Sequence, residues 1–459
     1  MSDDPNNSKS SSKSAKLTNG SIVGHLVSQT APMLLGIASI MSIGIIDAYF
    51  IGQLGAKELA AVSFIFPVTV ALSSMGVGVI AAISSVVSRA LGSGDEAKAQ
   101  QLGNLGIALA IIFGLCIAVT LYLVKTPLFD LMQAEDDLLP LIQAYMTPYA
   151  LGFPLLLTNM GMNGVLRGQG AAKRASTILF AFAATNWVLD PLLITGIGSF
   201  EGFGIEGAAY ATIGGWAVGT GLGFVLVQSS AIKMNPACLT ATDWRKGVVS
   251  LLRVGGPAAG SNAINPIGLS ILTALLAGYG QDEVAGFGAA GRLQSLAVVP
   301  LLALSSSIGA VVGQNWGAGK AERARRALWL SGIFCILYGL LIATALVLAS
   351  RWIGSFFTEK DAVLAAIETY LTIAAWGFGG YGLFIVANGA FNAIDRAGTA
   401  LALSLSRVFL IMVPIALLSR TALAGDEWGA STIYAGELAA NLLGGVISGF
   451  VAWRIFRQN

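Results

Sequence analysis

The chain has 459 residues and a mass of 47.3 kDa; 55% of the residues are hydrophobic, 11% are charged, and the mean hydropathy is +0.75. A soluble domain carries about 25% charge, so a chain this apolar cannot cover its surface in water and reads as a polytopic membrane protein. The net charge of +2 leaves no electrostatic footprint for nucleic acid. One histidine, His25, and three cysteines in separate segments, Cys116, Cys238 and Cys335, support neither a metal centre nor a disulfide framework.

Residues 1–20 (MSDDPNNSKSSSKSAKLTNG) are rich in Ser, Asn and Lys and are expected to form a disordered cytoplasmic tail. Twelve apolar runs follow, each near the roughly 20 residues that a helix needs to cross hydrocarbon. They lie near 30–51, 62–87, 104–124, 141–162, 175–196 and 207–229, then 249–277, 284–311, 328–349, 370–391, 400–419 and 433–454. The first six, with their loops, form an N-lobe over 21–230. A cytoplasmic linker over 231–248 leads to a C-lobe over 249–459. No segment is long enough for a soluble catalytic domain, and no nucleophile–base pair sits at a span end, so enzymatic chemistry is not expected.

Threading these spans puts 19 of the 26 Lys and Arg on the side that holds both termini, five on the opposite side, and Arg292 and Arg407 within spans. Positively charged loops stay on the cytoplasmic side, so both termini are expected in the cytoplasm of a bacterial inner (plasma) membrane.

The chain also matches itself at an offset of 225 residues. Pro32 falls on Pro257, Gly55 on Gly280, Gly92 on Gly317, Tyr145 on Tyr370, Gly152 on Gly377, and Asn163-Gly164 on Asn388-Gly389. Each half holds an even number of spans, so both halves start on one face, as repeats about an axis along the membrane normal do. The expected fold is all-α, with twelve transmembrane helices in two six-helix lobes about a central cleft. That is the architecture of an alternating-access carrier.

Five ionisable groups fall within spans: Asp47, Asp190, Arg292, Arg407 and Glu437. Placing a charge there costs at least about 2.5–3.5 kcal/mol, so such groups face a cavity or a partner. Asp47 lies near the outer end of span 1, and Asp190 lies in span 5 with Asn186 one helical turn earlier on the same face. Their offset matches are Leu272 and Ile415, so both acids belong to one lobe. That asymmetry suits a coupling-ion site confined to the N-lobe, taking a proton or a sodium ion. Arg292 is expected to line the C-lobe side of the cavity, whereas Arg407 and Glu437 are expected to reach the interfaces near the ends of their spans. Pro32, at the start of span 1, is a candidate hinge. The run Gly313 to Lys320 (GQNWGAGK) imitates a phosphate loop, but its spacing is one residue too long and Ala321 stands where Ser or Thr is needed. An ion gradient is therefore the expected energy source, and no cofactor is expected beyond the coupling ion.

The stretches DAYFIGQLGAKELAAVS, SRALGSGDEAKAQ, NGVLRGQG and NWVLDPLL, in this order, resemble the multidrug and toxic compound extrusion (MATE) family over about residues 28–455. Acids confined to the first lobe resemble its DinF-like branch. The resemblance implies export of cationic or amphipathic small molecules in exchange for protons or sodium. It places a cation site, with possible Na+, at Asp47, Asn186 and Asp190, polar lining residues at Tyr145, Asn163 and Thr212, and the bend of the first helix at Pro32. The expected partners are the small-molecule substrate and membrane lipid, and two complete lobes imply a working monomer. A lipid-linked oligosaccharide flippase shares the broad shape. It needs a cationic cavity to hold pyrophosphate, for which Arg292 is the one lining cation expected.

Overall fold

A computed structural model describes residues 15–420 and 425–458. The N-terminal half contains α1 (Ile22–Leu54), α2 (Ala56–Gly92), α3 (Glu96–Leu131), α4 (Leu139–Gly168), α5 (Ala172–Asp190) and α6 (Ile205–Gln228). The C-terminal half contains α7 (Trp244–Leu276), the pair α8 (Gln281–Ala297) and α9 (Val299–Gly317), α10 (Ala321–Leu348) and the short α11 (Ser350–Gly354). It continues with α12 (Asp361–Ala374) and α13 (Phe378–Ala393), then α14 (Ala397–Leu405), α15 (Val413–Leu417) and α16 (Gly425–Arg457). Ten of these rods are long and apolar enough to cross a membrane, and α8 with α9 forms an eleventh, bent by 44° at Val298. The twelfth is α4, whose side chains are mostly enclosed by α2, α3 and α6. The fold is therefore twelve membrane rods in two lobes.

Helix starts follow local chemistry. The side chains of Ser21, Asp95 and Asp243 accept from the backbone N–H of Gly24, Lys98 and Lys246, capping α1, α3 and α7. Gly55 (φ +153°) turns the chain between α1 and α2, and its offset match Gly280 (φ +118°) turns it into α8. Both sit where a side chain is disfavoured.

The duplication is written into the packing. Gly164 of α4 lies against Ile80 and Ile83 of α2, and 225 residues on, Gly389 of α13 lies against Ser305 and Ile308 of α9. Gly114 of α3 abuts Pro154 of α4, as Gly339 of α10 abuts Gly379 of α13. Small residues allow this close approach of helix backbones in lipid, where apolar burial gives helices no drive to associate.

The lobes meet at the face where α1 begins and α16 ends, called the basic face below. Gly92 packs on the carbonyl of Gln314 while Gly317 packs on that of Arg89, another pair related by the offset. Ser85 Oγ donates to the carbonyl of Asn392 at 2.6 Å, and Asp395 holds Arg89 (3.4 Å) and Arg253 (3.5 Å). Among the described residues, the hydrogen bonds between lobes all lie in the half nearer the basic face. The protein is closed on that side.

Several expectations are corrected here. The helices outrun the predicted spans by up to several residues at each end, because amphipathic turns beyond the hydrocarbon stay helical. Pro32, expected at the start of span 1, lies well inside α1, as its offset match Pro257 lies well inside α7, and the helix continues through each. The tail expected over 1–20 is partly docked. Lys16–Thr18 form a 3-10 turn whose Leu17 is buried, with its N–H donating to Gln314 at 3.2 Å and its carbonyl accepting from Asn315 at 3.0 Å. Residues 1–14 lie outside the described residues.

Candidate transport site

Asp47 projects from α1 and Asp190 ends α5. Pro191 follows Asp190 and has no N–H for the next rung, and the ladder widens to a π turn over Pro191–Thr195. The two carboxyl groups come within hydrogen-bonding reach of each other. Oδ1 of Asp47, both oxygens of Asp190 and Oδ1 of Asn186 are buried without a donor. Asn186 is fully buried, and its amide points at the carbonyl of Ala211 in α6, 3.4 Å away. The approach of α6 depends on Gly207, packed on the Leu193 carbonyl, and on Gly215, packed on Phe182 and Asn186. Tyr145 of α4 lies close to Thr212 of α6 and within range of the charges of both acids. A cluster of buried oxygens that lack donors can take a proton between the carboxyls or a small hard cation.

A separate cavity of about 460 Å³ lies between the lobes. It is lined from the N-lobe by residues including Ser84, Ser85, Asn159, Asn163 and Arg167, and from the C-lobe by Asn262, Asn265, Ser305, Tyr381, Phe384, Asn388 and Arg407. Asn163 donates to the carbonyl of Ala175 at 3.0 Å, and its offset match Asn388 lies on the opposite wall. Neither Asp47 nor Asp190 lines this space. The only charged lining groups among the described residues are the two arginines.

Arg167 Nη1 donates to Ser306 Oγ at 2.7 Å across the lobe boundary. Arg407 leaves a π segment over Ser406–Met412 and donates to Asn441 Oδ1 at 2.6 Å and to Asn265 Oδ1. Its guanidinium stands 5.3 Å from the Tyr381 ring centroid and 4.9 Å from that of Phe384. The Nε atoms of both arginines are buried and unpartnered.

Of the residues singled out from sequence, Asp47, Asp190, Tyr145 and Thr212 come together with Asn186 beside them, Asn163 lines the cavity, and Pro32 lies in α1, its carbonyl accepting from Ser176 Oγ. Arg292 is exposed on α8 and stands outside the cavity lining. Arg407 and Glu437, read as reaching the interfaces, are buried. Glu437 accepts from Gln294 Nε2 at 2.6 Å and from the Tyr370 hydroxyl at 3.1 Å. Arg167, read as a loop charge, enters the cavity because α4 continues to Gly168. The one sequence signal for it was the RGQG turn that follows Asn163-Gly164.

Comparison with known proteins agrees with this architecture. The MatE family model matches residues 32–192 and 257–418, one match per lobe. The chain is 34% identical over 430 residues to the FAD transporter of Shewanella oneidensis, covering 94% of each chain. It is 28% identical to the probable multidrug resistance protein YpnP of Bacillus subtilis, over 88% of this chain and 90% of that one. Its fold superposes with a TM-score of 0.91 on a multidrug resistance MATE family transporter of the MOP superfamily solved in an outward-facing conformation (22% identity, 97% and 98% coverage). A variant of the Vibrio cholerae MATE transporter VcmN follows at 0.90 (27% identity, 97% and 98% coverage). Two matched lobes, a shared cavity and this likeness over nearly the full length make the chain a membrane transporter of the MATE family and not an enzyme.

Proposed function

We propose that the protein is a secondary exporter that moves amphipathic small molecules out of the cytoplasm in exchange for H+ or Na+. The observation that carries this reading is the pair of half-buried Asp47 and fully buried Asp190 in one lobe, within reach of each other, with Oδ1 of Asp47 and both oxygens of Asp190 buried without a donor. Two carboxylates this close repel each other when both are charged and empty, so the pair takes up a proton or Na+ readily. The basic face is cytoplasmic on this reading, by the distribution of Lys and Arg. The closed interface at that face corresponds to the state that loads the cation from outside. A single chain with both lobes is the working unit.

Cation arrival neutralises the acid pair and lets α1 settle differently against α5. Pro32 lies in that helix and lacks the N–H that would tie its turn together, so a bend there transmits the change to the cavity, where Met41 and Ile37 of the same helix form part of the wall. The family resemblance suggests drug-like cargo, and the relatives' names extend the range to FAD.

The test is transport by purified protein in proteoliposomes under an imposed pH gradient and then an imposed Na+ gradient, with ethidium, norfloxacin and FAD as cargo. Transport driven by one gradient and abolished in Asp47→Asn is expected. Equal transport in the variant would refute the coupling role of Asp47.

The lipid-linked oligosaccharide flippase is the second reading, favoured by one observation. The cavity holds two arginines, Arg167 and Arg407, that could grip a pyrophosphate.

A further inference from the structure

The cavity chemistry fits poorly with a cationic cargo. Its charged lining groups among the described residues are Arg167 from the N-lobe and Arg407 from the C-lobe, and no Asp, Glu or Lys shares that lining. Among the described residues neither arginine makes an ion pair. Their hydrogen bonds go to neutral oxygens of Ser306, Asn441 and Asn265, and each keeps a buried, unpartnered Nε–H. Glu437 is near enough for its charge to act on Arg407, yet it is turned to Gln294 and Tyr370. Unpaired guanidinium groups held at membrane depth are costly unless they meet an anion. Guanidinium forks match phosphate oxygens in charge and geometry. The Arg407 guanidinium stands over the rings of Tyr381 and Phe384, and both aromatic residues line the cavity beside it.

We infer that the cavity is an anion site in which Arg167 and Arg407, one from each lobe, hold the phosphate of an aromatic organophosphate whose ring packs on Tyr381 and Phe384. The movement of that cargo rests on the exporter reading above, but its binding does not. Because one arginine comes from each lobe, the site is complete only while the lobes are apposed, and rocking them apart loosens the grip. The acid pair lies outside the cavity lining, so the coupling cation and the cargo do not compete for the same groups. An anion leaving the cell and a cation entering it shift charge in the same direction. The membrane potential therefore drives both movements, at about 50-fold in accumulation per charge for each 100 mV. Export of a monovalent cation in exchange for one proton would gain nothing from it.

Flavin mononucleotide and riboflavin differ by one phosphate and are the probes. With purified protein in detergent, flavin mononucleotide is expected to raise the unfolding temperature and riboflavin to leave it unchanged. In proteoliposomes, flavin mononucleotide uptake into the lumen should rise at least 10-fold when a K+ gradient with valinomycin makes the lumen positive, while ethidium uptake should not respond. Arg167→Gln and Arg407→Gln, each checked for unchanged unfolding temperature without ligand, should raise the KM for flavin mononucleotide at least 10-fold. Arg407→Lys keeps the charge without the fork and should fall between. Ethidium uptake without binding or uptake of flavin mononucleotide would overturn the inference and leave the exporter reading standing. Equal protection by riboflavin, or undiminished uptake in both Gln variants, would also overturn it. Protection by a polyprenyl pyrophosphate but not by flavin mononucleotide would overturn it in favour of the flippase. Flavin mononucleotide binding with no movement of any cargo would uphold the anion site and refute the exporter reading.

Discussion

The Tyr370 hydroxyl lies 3.1 Å from a carboxylate oxygen of Glu437, and these residues stand 225 positions after Tyr145 and Thr212, which lie close together in the other lobe. Duplication thus kept a tyrosine on the fourth span of each lobe facing a polar residue on the sixth. The carboxyl groups around it differ. In the N-lobe they come from spans 1 and 5, in the C-lobe from span 12.

The Glu437 network ties three rods together, since Gln294 of α8 and Tyr370 of α12 both reach the carboxylate on α16. Tyr370→Phe should lower stability by about 1 kcal/mol, the usual scale of a hydrogen bond between membrane helices. Glu437→Ala should cost more, because Gln294 and Tyr370 then lose their common acceptor. Thermal unfolding of the purified variants in detergent measures both.

Asp190 poses the opposite case. Both of its carboxylate oxygens are buried without a donor and face a second acid. Asp190→Asn removes a like charge from that site and should leave the unfolding temperature unchanged or higher while cation-driven transport is lost. Function retained at the expense of stability is the pattern expected of a working site. A variant both unstable and inactive would point to a structural role instead.

The close contact of Gly92 with Gln314 and of Gly317 with Arg89 leaves no space for a Cβ against either backbone carbonyl. Gly317→Ala should therefore wedge the basic face apart and move the population toward the state open on that side. Labelling of a cysteine introduced at Ser85, which donates across the closed interface, should quicken in the Gly317→Ala background. No change in labelling would show that this contact does not hold the face shut.

Gln314 is the hub of that closure. It accepts from the Leu17 N–H at 3.2 Å and donates to the Gly168 carbonyl at 3.0 Å, joining the segment before α1 and the end of α4 to α9. Gln314→Ala should release the Leu17 turn without unfolding either lobe. Faster hydrogen exchange over residues 16–20, with α4 and α9 still protected, is the expected result.

The number of spans, the duplication and the pairing of Asp47 with Asp190 in one lobe were all legible in the chain. Hydropathy over some 20 residues reports a transfer free energy that depends on composition alone, and a repeat at fixed offset needs no knowledge of contacts. Charge at membrane depth is also conspicuous by its cost, which is why Asp47 and Asp190 stood out. What each charged side chain faces was decided elsewhere. Arg167 was counted among loop residues because apolar composition fades before α4 ends, yet helical structure carries it into the cavity. Arg407 and Glu437 were assigned to interfaces by their distance from span ends, and Arg292 to the cavity by its depth. The rotation of each helix about its axis, fixed by contacts such as Gly286 on Ala366 and Gly268 on Met412, reversed all three. Depth is a one-dimensional property that a sequence records, whereas facing is set only when helices pack.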